Sequence, residues 1–169
     1  MKLFSLIASA DAYINVCYYT SWAQYRTPPY NFVPENIDAN LCTHINYGFG
    51  FVDDWGTNVR TYEWNDEDMY RRVMAKRREN PSLKVYLSVG GWTHGTGPFK
   101  LAAANDASRT TFARNSLQFI QTHDFDGIDI DWEYPGYEGR DRRTFHKRQK
   151  TNCKRSILSC YVHELSEEP

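Results

Sequence analysis

Spacing of the kind that binds zinc is missing from this sequence. Its four cysteines, Cys17, Cys42, Cys153 and Cys160, form no Cys-x-x-Cys pair, and no histidine stands at metal-ligand spacing, so no metal is expected. Charge of one sign is missing too. A formal net charge of −1 leaves no global basic field of the kind nucleic acid attracts. No apolar run approaches the roughly 20 residues that would span a bilayer, so a membrane-embedded chain is not expected. There is no internal repeat and no low-complexity segment, and 169 residues with 41% hydrophobic content suit one domain with its own core.

Aromatic residues and acids are what the chain does have. Aromatics make up 15% of it, with five Trp and twelve Tyr, a composition suited to a packed core and to stacking on flat sugar faces. The acids concentrate in "DGIDIDWEYPG", where Asp126, Asp129, Asp131 and Glu133 fall within eight residues of an otherwise apolar run. Side chains of a strand alternate between faces, so Asp129, Asp131 and Glu133 share one face while Ile128, Ile130 and Trp132 share the other. One apolar face against helices and one acidic face inward fits a strand of a parallel barrel, whose active site opens at the C-terminal strand ends. Glu133 would lie nearest that mouth. Adjacent acids would be spaced about 6.6–7 Å along the strand, so they cannot all ionise freely where solvent is limited. One of them kept protonated would serve as a general acid. A metal site or an ion-pair cluster is the alternative reading of the same residues.

Four strand candidates recur along the chain: Ile14–Trp22, Cys42–Val52, Lys84–Gly91 and Gly127–Tyr134. Helical material separates the later ones. "NDEDMYRRVMAKRREN" has Asn65 as a cap, acids in the first turn, bases in the last and Pro81 beyond it, with Met69, Val73 and the Lys76 stem on its inner face. "SRTTFARNSLQFIQTHDF" has Phe112, Leu117, Phe119 and Ile120 at helical spacing and Ser108 as its cap. This alternation predicts parallel strands with right-handed crossovers. The first connection, with three prolines, reads as an irregular loop followed by a short helical turn.

The two ends differ from the middle. "MKLFSLIASADAY" combines a base, a short apolar stretch and small residues at Ala8, Ala10 and Ala12, so residues 1–12 read as a short signal peptide or as an ordinary extension. Export would favour disulfides among the cysteines. Between Arg140 and Arg155 stand eight Lys or Arg against the single acid Asp141, whereas residues 1–137 carry 12 bases and 16 acids. Residues 137–169 are therefore set apart as a basic tail, either solvated or suited to an anionic partner.

"DGIDIDWEYPG" resembles the acidic signature of glycoside hydrolase family eighteen, the chitinases and chitinase-like lectins. The resemblance is carried further by "SVGGW" (Ser88–Trp92), "VCYYTSWAQYR" (Val16–Arg26), "PENID" (Pro34–Asp38), "LCTHINYGF" (Leu41–Phe49) and "EWND" (Glu63–Asp66). It implies an α/β fold of the (β/α)8 barrel type, with about the first four β/α units in residues 13–136 and later cleft motifs without counterpart. It also implies a secreted, cofactor-free glycosidase acting on chitin or chito-oligosaccharides, or a lectin of that family that binds without turnover. Family members use the substrate's own acetamido group as nucleophile, an exception to the two-carboxylate scheme. By the same resemblance Glu133 protonates the glycosidic oxygen, Asp131 orients the acetamide and Asp129 shares a proton with Asp131. Tyr18, Phe49, Glu63, Trp64, Gly90, Gly91, Trp92, Thr93 and Tyr134 match cleft positions, Gly90 and Gly91 permitting close backbone approach to a ligand. Trp22 stays ambiguous between cleft and core. Cys17 and Cys42 match a family disulfide.

Overall fold

A computed structural model gives the structure, which describes residues 13–135. The signal-like residues 1–12, and the tail at 137–169 with Cys153 and Cys160, lie outside the described residues.

Four strands run parallel in one sheet: β1 (Val16–Thr20), β2 (His44–Val52), β4 (Lys84–Gly90) and β5 (Gly127–Asp131), side by side in that order. A two-residue strand, β3 (Val59–Arg60), pairs antiparallel with the end of β2. Each predicted strand is present, trimmed at its ends, and the fourth stops at Asp131, so Glu133 and Tyr134 project beyond the last hydrogen-bonded residue of β5. Among the described residues the sheet is not closed. Its edges are β1 and β5, as in half of an eight-stranded barrel.

Alternation sorts the strands into two faces. Tyr19, Ile45, Tyr47, Val85, Leu87, Val89 and Ile128 are buried and form one core with Met69, Tyr70 and Val73 of helix α1 (Asp66–Met74) and Phe112, Ala113 and Ile120 of α3 (Asp106–Thr122). Full burial of each large apolar side chain contributes about 1.5–3 kcal/mol, so this face holds sheet to helices and leaves the other free for polar groups. A short helix, α2 (Gly97–Ala102), which the sequence pattern did not reveal, precedes α3 and buries Phe99.

Two helix starts differ in detail from expectation. The cap of α3 is Asn105, whose side-chain oxygen accepts the Ser108 amide at 2.9 Å; Ser108 is three residues inside and acts through its backbone. Asn65 does precede α1, but its side chain bonds Gln24 instead of the helix end. Lys76 is buried as expected and pairs with Glu79 at 2.7 Å. The first connection contains two 3-10 turns, Ser21–Tyr25 and Pro34–Asn36, and Glu35 of the second grips Arg72 of α1 through two hydrogen bonds of 2.8 and 2.6 Å. Cys17 and Cys42 are joined in a disulfide, with Cα atoms 6.0 Å apart.

Candidate active site

Strand register puts Thr20, Gly48, Ser88 and Asp129 in one row across the polar face. Gly48 adds no side chain to that row, which leaves it open to the Tyr18 ring from β1. Tyr18 Oη donates to Asp129 Oδ2 at 2.5 Å, and Ser88 Oγ donates to the same oxygen at 2.7 Å. Both donors converge on one oxygen, so Oδ1 is the atom of Asp129 available for a shared proton. Ser88 is fully buried and was legible only as part of "SVGGW"; its role follows from lying beside Asp129 in the sheet.

Asp131 holds its proton more firmly than an ordinary aspartate. Burial is the largest cause, followed by the neighbouring charges of Glu133 and Asp129. Its backbone is held from β4: the Gly91 amide donates to the Asp131 carbonyl at 2.9 Å. Gly90 and Gly91 have φ of 121° and 80°, conformations that side chains disfavour. A Cβ on Gly90 would run into the Asp131 carbonyl, and one on Gly91 would lie 2.8 Å from the Phe49 ring. What the two glycines bring close is therefore β5 and Phe49.

Glu133 and the half-exposed Tyr134 follow at the C-terminal end of the sheet. Between Asp131 and Glu133, Trp132 turns to the opposite side, stacks on Phe99 at 5.4 Å and donates from Nε1 to Thr96 Oγ1 at 2.6 Å. That anchor fixes the strand end from which Glu133 projects.

The rim is aromatic. Phe49 occupies a bulge in β2 and stacks on Trp22 at 5.8 Å, with Tyr18 tilted against it at 6.4 Å. Trp22 is half-exposed at this rim. Trp64 and Trp92 are 84% and 73% exposed, open enough to offer their faces to a ligand, and Thr93 is exposed beside Trp92. Glu63 accepts from Tyr25 Oη at 2.8 Å.

The residue that places Glu63 and Trp64 is Asp66. Its buried carboxylate accepts the amides of Tyr62 and Glu63 at 2.7 and 2.8 Å and the hydroxyl of Tyr47 at 2.7 Å. Burial pushes its acidity toward the protonated form against these donors. In the sequence Asp66 stood out as an acid in a helical first turn and as the end of "EWND", with no role assigned to it.

Asp126, first acid of the signature, stands at the other end of β5. It pairs with Arg77 at 2.5 Å and Lys84 at 3.2 Å and accepts the Val85 amide at 2.8 Å. The ion-pair reading thus holds for this one acid, which ties β5 to β4. Among the described residues no group of three or more His, Cys, Asp or Glu is arranged to hold a metal ion.

Comparison with known proteins accords with this geometry. The sequence profile of the family described as "Glycosyl hydrolases family 18" matches residues 14–165, a span that includes much of the basic tail. Chitotriosidase-1 of Mus musculus is 40% identical over 149 residues, covering 88% of this chain and 31% of the mouse protein. A crystal structure of an immunomodulatory active chitinase from Trichuris suis superposes with a TM-score of 0.70 at 45% identity, over 73% of this chain and 34% of that one. Human YKL-39, described as a pseudo-chitinase with retained chitooligosaccharide binding properties, superposes with a TM-score of 0.67 at 36% identity, over 73% of this chain and 34% of that one. The chain spans about a third of the length of these relatives.

Proposed function

The chain belongs to family 18 of the glycosyl hydrolases, and from that premise we propose that its acidic strand end is part of a chitinase active site that cleaves β-1,4-linked N-acetylglucosamine polymers with retention. The observation that carries the reading is the coupled pair of aspartates: Asp129 held on Oδ2 by Tyr18 and Ser88, and Asp131 biased toward its protonated form two residues nearer the mouth.

In this reading Glu133 protonates the glycosidic oxygen, and the substrate's acetamido oxygen attacks the anomeric carbon from the other face. Asp131 hydrogen-bonds the acetamide nitrogen and balances the positive charge of the oxazolinium-like intermediate. Its proton passes toward Asp129 Oδ1 as that charge grows, because the Tyr18 and Ser88 hydroxyls keep Oδ2 an acceptor. Water, deprotonated by Glu133, then opens the intermediate. Trp64, Trp92 and Trp22 would bind sugar rings through their exposed faces. The disulfide suits an exported protein that meets chitin outside the cell.

A second reading, binding of chito-oligosaccharides without turnover, is supported by the exposed aromatic rim, which does not depend on the acids. The test joins residues 14–135 to the remainder of the mouse chitotriosidase-1 barrel and follows chitotetraose by NMR. Products released first as the β-anomer support retaining hydrolysis. Binding without product supports the lectin reading, and α-anomeric product would refute the acetamide mechanism.

A further inference from the structure

His94 lies outside the acidic centre, and its ring packs between Phe51 of β2 and Phe99 of α2, beside the turn that carries Trp92. Phe51 of β2 meets it edge-on at 4.8 Å, and Phe51 is stacked at 4.0 Å on Tyr62, next to Glu63 and Trp64. On its other side Phe99 lies at 4.8 Å, and Phe99 stacks on Trp132 of the acidic strand end. The His94 amide donates to the Gly91 carbonyl at 3.1 Å, closing the turn that presents Trp92 and Thr93.

Both ring nitrogens have backbone partners. Nε2 lies 3.0 Å from the Val52 amide nitrogen, and Nδ1 lies 2.8 Å from the Gly95 carbonyl oxygen. An amide can only donate and a carbonyl can only accept, so the imidazole must be neutral, with its proton on Nδ1. A second proton on Nε2 would set one N–H against another and break the bond to Val52. The charged residues on the elements packed around it are Asp53 after β2, Arg60 of β3, Lys100 of α2 and Asp131 of β5. Asp53 is engaged by Thr57 and Asn58, and Arg60 lies over the Phe51 ring at 5.8 Å. The loop 91–96 contributes no other charge.

We propose that His94 is a positioning residue that pins the loop after β4 to the end of β2 only while neutral, so that acid releases the Trp92 turn and weakens oligosaccharide binding. The part concerning oligosaccharide rests on the function proposed above; the pin itself does not. Loosening of this rim turn would raise KM, while the bonds from Tyr18 and Ser88 to Asp129 lie outside the loop.

The pin is tested on the full chain by 15N NMR of the histidine rings and by hydrogen exchange at Val52. The expected result is the Nδ1–H tautomer at pH 7.5 and a Val52 protection factor that falls at least tenfold by pH 5, after correction for intrinsic exchange. His94→Gln, whose side-chain oxygen can accept from Val52 without titrating, should keep that protection at both pH values. His94→Phe, which keeps ring packing and removes the acceptor, should lose it at both. An Nε2–H tautomer, or protection unchanged between the two pH values in the unmodified chain, would overturn the proposal. In the barrel-completing chimera, KM for chitotetraose should rise in acid for the parent relative to His94→Gln. Equal pH profiles would refute the functional link even where the exchange result stands, and absence of turnover would count against the proposed function alone.

Discussion

Replacing Gly90 by alanine tests how the site is built. Gly90 has φ of 121°, outside the regions that L side chains populate, which costs of order 1–3 kcal/mol for any other residue. The added methyl would also meet the Asp131 carbonyl carbon at 2.9 Å and Phe99 at 3.0 Å, with the carbonyl oxygen nearer still. Strand β5 must therefore move away, at an overpacking cost of about 1–3 kcal/mol, and the Gly91–Asp131 hydrogen bond weakens, adding about 0.5–1.5 kcal/mol. The total is about 2.5–7.5 kcal/mol, a large part of the roughly 5–15 kcal/mol that stabilises a typical domain. Gly95 supplies the control. Its φ is 72° and ψ −174°, also a glycine-only conformation, but nothing lies within 4 Å of a Cβ built there, so Gly95→Ala should cost only the backbone term of about 1–3 kcal/mol. Urea unfolding of the two variants beside the parent reads the difference directly. Gly90→Ala should be the less stable by at least about 1.5 kcal/mol, the sum of the lower overpacking and hydrogen-bond costs, and equal losses would show that β5 does not rely on the close approach.

Three further outcomes are expected. The Cys17–Cys42 disulfide spans a sequence separation of 25, and in a background lacking Cys153 and Cys160 its loss should lower stability by about 3–4 kcal/mol through loop-closure entropy; an unchanged urea midpoint after reduction would contradict this. Arg72 holds the Glu35 carboxyl down to about 2, so the pair's contribution is present above the usual glutamate range and fades as pH falls toward 2. Because the pair is largely exposed, Glu35→Gln should cost no more than about 1 kcal/mol at pH 7 and less at pH 2, and a loss that grows in acid would reverse the sign. A polypeptide confined to these 169 residues should hydrolyse a fluorogenic chitobiose substrate at under a tenth of the rate of mouse chitotriosidase-1, since misplaced substrate alone costs on the order of 10²-fold. Activity above that threshold, abolished by Glu133→Gln, would point to a self-completing assembly.

Features repeating along one segment were legible in the sequence. Alternation from Ile128 to Glu133 separated core from acid face, and helical spacing of Phe112 and Ile120 set the inner side of α3. Features made by lateral contact were not. Tyr18 and Asp129 are 111 residues apart and meet only because β2 and β4 lie between their strands in register. Ser88 gains its role from Asp129 on the next strand, Asp66 from Tyr47 as well as the nearby amides of Tyr62 and Glu63, and His94 from Phe51, Val52 and Phe99 of other elements. Asp126 shows the converse, since proximity in sequence grouped it with acids from which the length of β5 separates it. Asn105 was missed as a cap because Ser108, three residues on, is an equally good capping residue by type.

In the proposed function Glu133 delivers the proton while other groups bind the sugar. Glu133→Gln, made in the chimera that completes the barrel, keeps the side chain's shape and removes its acid. Paired measurements of chitotetraose affinity by calorimetry and of turnover should show Kd within about threefold of the parent and kcat lower by about 10²–10⁴-fold. Turnover near the parent rate, with binding intact, would contradict the assignment of Glu133 as the acid.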